Sequence, residues 1–181
     1  IKKEGLEQQI TLLKKDYRKL EGKYDKIISI EMIEAVGQEL LSNYIHKCDE
    51  LLEDDGVLVL QAITINDQVY DRAVEEVDFI KKYIFPGSFI PSVFEILKAA
   101  KEQTTLRLYS LDDITQHYAL TLRRWRDSFF AKQSKIIELG FDSSFIRMWD
   151  YYFCYCIAGF EERAIGDVHL KFAKSKYKNA L

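Results

Sequence analysis

Two carboxylates three residues apart, Glu31 and Glu34, follow an isoleucine-rich run in Tyr24-Asp25-Lys26-Ile27-Ile28-Ser29-Ile30-Glu31-Met32-Ile33-Glu34-Ala35-Val36-Gly37. A second apolar run, Gly56-Val57-Leu58-Val59-Leu60, delivers Gln61 in the same way. Carboxylates accept hydrogen bonds or take a proton, whereas an amide donates and accepts without carrying one. Both runs read as strands, the first as a strand buried on both faces. In open parallel sheets, ligands sit in the crevice outside the carboxyl ends of the strands, where loops vary over a fixed scaffold. Glu34 and Gln61 are therefore expected to converge at neighbouring strand ends.

The elements that must position them alternate. Residues 9–14, with Ile10, Leu12 and Leu13, read as a short strand ending at Asp16-Tyr17-Arg18. Leu40, Leu41, Tyr44, Ile45 and Leu51 give residues 39–52 the period of a crossover helix, and the acidic Glu53-Asp54-Asp55 reads as a turn. Such alternation predicts a doubly wound α/β sheet. Ala73, Val77, Ile80 and Ile84 predict one helix over residues 67–85, stopped by Phe85-Pro86-Gly87. Pro91 opens another with Val93, Phe94 and Leu97, so residues 67–100 are expected to be a helical insertion covering the crevice. Residues 105–109 resume a strand. Tyr118, Leu122, Trp125 and Phe129 mark one stripe of a long helix over residues 114–137 that Gly140 ends. Asp142-Ser143-Ser144 offers caps for a helix ringed by Phe145, Trp149, Tyr152, Phe153, Cys156 and Phe160, which is buried or lines a cavity. Residues 168–173 read as a closing strand, and 174–181 as a basic, frayed tail.

With 181 residues, 48% hydrophobic and 30% charged, the chain suits one globular domain. A net charge of −3 argues against a nucleic-acid partner. Cys48, Cys154 and Cys156 form neither a zinc spacing nor a disulfide framework, so a cytoplasmic setting is expected. His46, His117 and His169 lack metal-ligand company, and no metal is expected. The first residue is Ile1, without a methionine, in Lys2-Lys3-Glu4-Gly5-Leu6, which reads as the tail of a helix closed by glycine.

The singled-out residues also have plainer readings. Glu34 suits a helix amino terminus, Tyr118 a core stripe, Gln61 a structural amide, Asp16 a turn and Cys156 a cavity wall. Lys81, Lys82, Arg123 and Arg124 read as solvated faces or as contacts to anionic head groups at a membrane surface.

Five separated motifs together resemble the cyclopropane-fatty-acyl-phospholipid synthases and mycolic acid cyclopropane synthases. They are Asp16-Tyr17-Arg18, the stretch from Ser29 to Gly37, Asp78-Phe79-Ile80-Lys81-Lys82-Tyr83-Ile84-Phe85-Pro86-Gly87, His117-Tyr118-Ala119-Leu120-Thr121-Leu122-Arg123-Arg124-Trp125, and Cys156-Ile157-Ala158-Gly159-Phe160. The resemblance implies a class I methyltransferase-like (Rossmann-like) fold that uses S-adenosylmethionine. It implies methyl transfer to a cis double bond of an unsaturated phospholipid or acyl chain, and a carbocation that loses a proton to bound bicarbonate as a cyclopropane closes. Carried over by motif, Glu34 hydrogen-bonds the bicarbonate, Tyr118 donates its phenol to it, Ile63 meets it through the backbone, and Cys156 lines the cavity. Asp16 and Tyr17 would lie at the adenine, with Ser29, Ile30 and Glu31 forming the loop beside the cofactor. Trp125, Trp149, Tyr152 and Phe153 would join Tyr118 in excluding water and facing the cation.

Gln61 stands where the best-known members of that family have histidine, so methyl transfer is expected more firmly than ring formation. The family's earlier strand and glycine-rich loop do not precede Ile1. The chain is thus expected to be the carboxyl-terminal part of a longer methyltransferase domain, to bind cofactor poorly alone, and to present the strand at residues 27–30 as an apolar edge, either disordered or paired in a homodimer. A methyltransferase of the same fold acting on a small molecule and a non-catalytic lipid-binding module are the alternatives.

Overall fold

The computed structural model describes residues 1–178. A four-stranded sheet runs in the order β1-β2-β4-β3, with β1 spanning Tyr24–Ile30, β2 Leu52–Ile65, β3 Arg107–Asp113 and β4 Ile165–Ala173. β1 lies parallel to β2, while β4 runs antiparallel to both β2 and β3. The crossover from β1 to β2 is α1, Leu41–Leu51, as its apolar period predicts. Its Tyr44 hydroxyl donates to Ser29 Oγ, which fastens the helix to β1.

Side chains alternate across the strands and divide the interior in two. Leu58, Leu60, Ala62, Val168, Leu170 and Phe172 face α1 and α3, the latter Val93–Gln103. Ile63 and Ile165 belong to the opposite face, where α4 (Thr115–Ala131) and α6 (Ser143–Glu161) pack through Ala119, Leu122, Phe153, Ile157 and Phe160. Gln61 and Asp167 share this second face by parity.

Several sequence expectations need correction. Residues 9–14 are not a strand: they find no ladder partner among the described residues, and Leu12 is largely exposed. β1 is not buried on both faces, because α4 and α6 do not extend over it on the face that carries Ile28, 70% exposed, and Ile30, 64% exposed. The edge is thus present and apolar, and it is well formed rather than disordered. The predicted turn at residues 53–55 is a bulge within β2, where the register jumps from Tyr24↔Leu52 to Lys26↔Val57.

The helix predicted over residues 67–85 is broken into a 3₁₀ turn at Asp67–Val69, α2 at Tyr70–Glu75, and a π turn at Ile80–Ile84. Lys81 Nζ closes α2 by donating to the carbonyls of Ala73, Val74 and Glu76. The long helix also divides, at Lys132, into α4 and the short α5, Gln133–Glu138. Asp142 caps α6 as expected, accepting from Phe145 N at 2.9 Å, but that helix exposes Tyr151, Cys154 and Tyr155 on its outer side instead of being buried all round. The tail is anchored as far as Tyr177: Lys174 pairs with Asp49, Lys176 with Asp54, and the Tyr177 hydroxyl accepts from Lys171 Nζ. Residues 179–181 lie outside the described residues. No helix among the described residues is long and apolar enough to cross a membrane.

Candidate active site

The carboxyl ends of β1 and β2 lie side by side, and the chain leaves β1 through a strained turn. Glu31 adopts φ +49°, a region that non-glycine residues rarely occupy and that clusters at functional sites. Its N–H still donates to the Gln61 carbonyl at 3.1 Å, which holds the turn against β2. A single 3₁₀ turn, Ile33–Ala35, then aims Glu34 at β2 while burying Ile33 in the first core.

Glu34 Oε1 accepts from the Ile63 backbone N–H at 2.6 Å, and Oε2 is buried with no hydrogen-bond partner. Burial pushes this carboxyl up to about 7, against the two backbone hydrogen bonds that pull it down, with further upward pressure from the charges of Glu31 and Asp167. The Gln61 amide nitrogen donates to Glu31 Oε1 at 3.2 Å and to Asp167 Oδ2 at 2.8 Å, while its carbonyl oxygen lies 3.4 Å from His169 Nε2. Asp167 is fully buried, its Oδ1 has no partner, and burial raises its carboxyl to about 7.

Tyr118, in the first turns of α4, is half-buried above this group. Burial and the facing Glu31 carboxylate hold its phenol well above the ordinary range, so it remains a hydrogen-bond donor at any physiological pH. Its ring lies 4.7 Å from Phe160. Cys156 belongs to the same apolar cluster; burial raises its thiol to about 12, which makes it a neutral wall and not a nucleophile. Trp149, Tyr152, Phe153 and Phe129 extend the cluster in mutual edge-on and tilted contacts, and the Trp149 Nε1 hydrogen is buried without an acceptor.

The structure thus brings Glu31, Glu34, Gln61, Ile63 and Tyr118 together, with Cys156 in the adjoining aromatic wall. It gives the Gln61 donors to two carboxylates and the Ile63 N–H to Glu34. Asp16, Tyr17 and Ser29 stand apart from this group. Asp16 caps the turn at Tyr17–Lys19 and pairs with Arg18, which holds its carboxyl down at about 2. Tyr17 packs edge-on against Tyr44, 5.5 Å between ring centres, with its hydroxyl buried and unpartnered. Ile30 points outward, largely exposed. Asp167 was not among the residues expected here, because β4 begins three residues before the predicted closing strand. A lone acid flanked by Gly166 and Val168 was the available signal.

The sequence profile of mycolic acid cyclopropane synthetase matches residues 1–170. Tuberculostearic acid methyltransferase UfaA1 of Mycobacterium tuberculosis is 39% identical over 80% of this chain and 34% of its own length. Cyclopropane-fatty-acyl-phospholipid synthase of Escherichia coli is 32% identical over 90% of this chain and 40% of its own. Sphingolipid C9-methyltransferase of Candida albicans is 34% identical over 76% of this chain and 28% of its own. The chain therefore spans well under half the length of these relatives. Among solved structures, cyclopropane synthase MmaA2 from Mycobacterium tuberculosis shares the fold at TM-score 0.81 and 22% identity, over 95% of this chain and 65% of that one. Mycolic acid cyclopropane synthase CmaA1 complexed with SAH and CTAB does so at 0.78 and 23%, over 87% and 58%.

Proposed function

Because this chain belongs to the mycolic acid cyclopropane synthetase family, we propose that it carries the acceptor side of an S-adenosylmethionine-dependent methyl-transfer site acting on the double bond of an unsaturated lipid acyl chain. The observation that carries the reading is the meeting of Glu34, Gln61 and Glu31 beside Tyr118 and a wall of aromatic rings, with no cationic side chain in an ion pair with any of these acids among the described residues.

S-adenosylmethionine, when bound, supplies an electrophilic methyl group on a positively charged sulfur. The residues fit such a group: three carboxylates, two with an oxygen lacking any donor, complement positive charge. An alkene that accepted this methyl through its π pair, with the methyl–sulfur bond breaking, would be left with positive charge on its neighbouring carbon. Loss of one proton then gives either a ring or a methyl-branched alkene. Tyr118, Trp149, Tyr152 and Phe153 keep water from capturing the cation and turn ring faces toward it.

Bicarbonate suits the same place as the proton's acceptor, beside the positive charge that the cofactor would bring. The unpartnered Glu34 Oε2 accepts from its hydroxyl and the Tyr118 phenol donates to it. Gln61 then acts through the carboxylates it bridges, not as a direct donor to the anion.

A second reading, methyl addition without ring closure, is favoured by the two relatives whose names specify methyltransferase activity, at 39% and 34% identity. One experiment separates these readings. The intact protein is incubated with S-adenosylmethionine labelled at the methyl group and vesicles of cis-monounsaturated phospholipid, and the acyl chains are analysed by mass spectrometry. A methylene-bridged chain supports cyclopropanation, a methyl-branched chain supports simple methylation, and an unlabelled lipid pool with label in a small molecule, or nowhere, refutes both.

A further inference from the structure

Asp167 is the one buried charge at the site that the resemblance leaves without a role. Its backbone is doubly held, since its N–H donates to Thr115 Oγ1 at 3.1 Å and its carbonyl accepts from Ile114 N–H at 2.9 Å. These bonds pin the amino terminus of α4, the helix that carries Tyr118, to β4. Gly166 permits the approach: a Cβ there would sit 3.1 Å from Thr115 Oγ1 and 3.3 Å from Thr64 Oγ1. The Asp167 side chain, diagonal to Gln61 across the β2–β4 pair, then reaches the Gln61 amide.

We propose that Asp167 is a positioning residue of the methyl-transfer site: it holds the Gln61 amide between two carboxylates and, when ionised, adds negative charge beside the reacting carbons. This rests on the functional reading above. Glu31 and Asp167 both accept from the one amide nitrogen, so a flipped amide would set its carbonyl oxygen against two acids. That fixes the amide oxygen toward His169. The Asp167 Oδ1 atom is buried without any donor, which is costly unless a positive group or a proton arrives there. In its ionised form a carboxylate held in this way is a negative charge already in place where positive charge develops, and it needs no reorganisation as that charge moves.

The groups facing this carboxylate are Glu31 and Glu34 after β1, His169 on its own strand through Gln61, Tyr118 on α4 with Tyr152 of α6 beyond it, and Asp113 of β3. Asp113 is itself paired with Arg163. Removing the Asp167 charge therefore eases ionisation of Glu34.

The test compares Asp167→Asn and Asp167→Ala with wild type in the intact protein, measuring methyl transfer to monounsaturated phospholipid across about pH 5 to 9. Asp167→Asn keeps an acceptor for Gln61 and loses the charge. It is expected to lower kcat about tenfold with KM for lipid nearly unchanged, and to move the acidic limb of the kcat profile to lower pH. Asp167→Ala, which also frees the amide, is expected to lose roughly a further tenfold. Should the alanine variant fail to fold, the asparagine variant alone decides. An asparagine variant with wild-type kcat and an unmoved limb overturns the proposal, as does a fall in melting temperature with both kinetic quantities unchanged. Wild-type protein without methyl transfer refutes the functional reading, and this inference with it; active wild type beside an unaltered asparagine variant refutes this inference alone.

Discussion

Burial sets the protonation of Glu34, and the consequence for stability has a definite sign. Its carboxyl titrates near 7 in the folded chain against an ordinary value of 4.5, so between these pH values the folded state holds a proton that the unfolded state has released. Stability is therefore greatest below about pH 4.5 as far as this group is concerned and declines as pH rises toward 7, by about 3 kcal/mol in all. Denaturant unfolding at pH 5 and at pH 8 measures this; in Glu34→Gln, which cannot ionise, the difference between the two is expected to shrink by most of that amount. The same variant is expected to abolish methyl transfer at every pH while remaining folded, and full turnover in it would remove Glu34 from the site. Glu34 and Gln61 were legible in the sequence because both sit at or near strand ends, where position along an apolar run fixes position in space; Ile63 and Tyr118 were pointed to only by the family resemblance. Asp167 was not legible, since Gly166-Asp167 looks like a turn. The strand continues through it because Gly166 and Asp167 pair with Thr64 and Ile63 of β2, a partnership that no local pattern shows.

At the level of elements, the break between α2 and the π turn shows where a helical period misleads. Ala73, Val77, Ile80 and Ile84 repeat at helical spacing, yet Asp78 Oδ1 accepts from Lys81 N at 2.8 Å, the signature of a new helical start, and Lys81 Nζ closes the preceding one. A capping aspartate three residues before its donor was visible in the sequence, whereas the lysine's reach back to three carbonyls was not. The segment then lays Phe79 against Tyr151, 4.6 Å between ring centres, and Asp78 accepts from the Tyr155 hydroxyl at 3.2 Å, so it is clipped onto α6 beside Tyr152. Lys81→Met keeps the stem and loses the donors. It is expected to cost about 1–2 kcal/mol and to speed amide hydrogen exchange over residues 73–85, leaving the sheet protected. Asp142→Ala, which strips the cap from α6, is expected to cost about 1 kcal/mol, and its exchange signature should be confined to the first turn of that helix. If both variants loosened the same residues, the segment and the helix would form one cooperative unit.

For the molecule as a whole, the sheet is covered unevenly. One face is sealed by α1 and α3, but on the other α4 and α6 reach only the end that carries Gln61, Ile63 and Ile165, and β1 stands at the sheet's edge with Ile28 and Ile30 open to solvent. The alternation of strand and helix made the β1–α1–β2 unit readable, because a parallel pair requires a crossover and the apolar period of residues 41–51 supplies one. The antiparallel half was less readable: β3 and β4 owe their places to pairing with each other and with β2, information that no local pattern carries. An apolar strand edge of this kind is a template for another chain. The 181-residue chain on its own is accordingly expected to self-associate with rising concentration in sedimentation velocity, through β1. Ile28→Lys places a charge on the exposed face of that strand without touching Ile27, which packs into the core. It is expected to weaken association about tenfold or more while leaving the melting temperature within a degree or two, since an exposed isoleucine contributes little to folding. Wild-type chain that stays monomeric across the concentration series would show that the bulge at residues 53–56 and the charges of Asp25 and Lys26 already suffice to guard the edge.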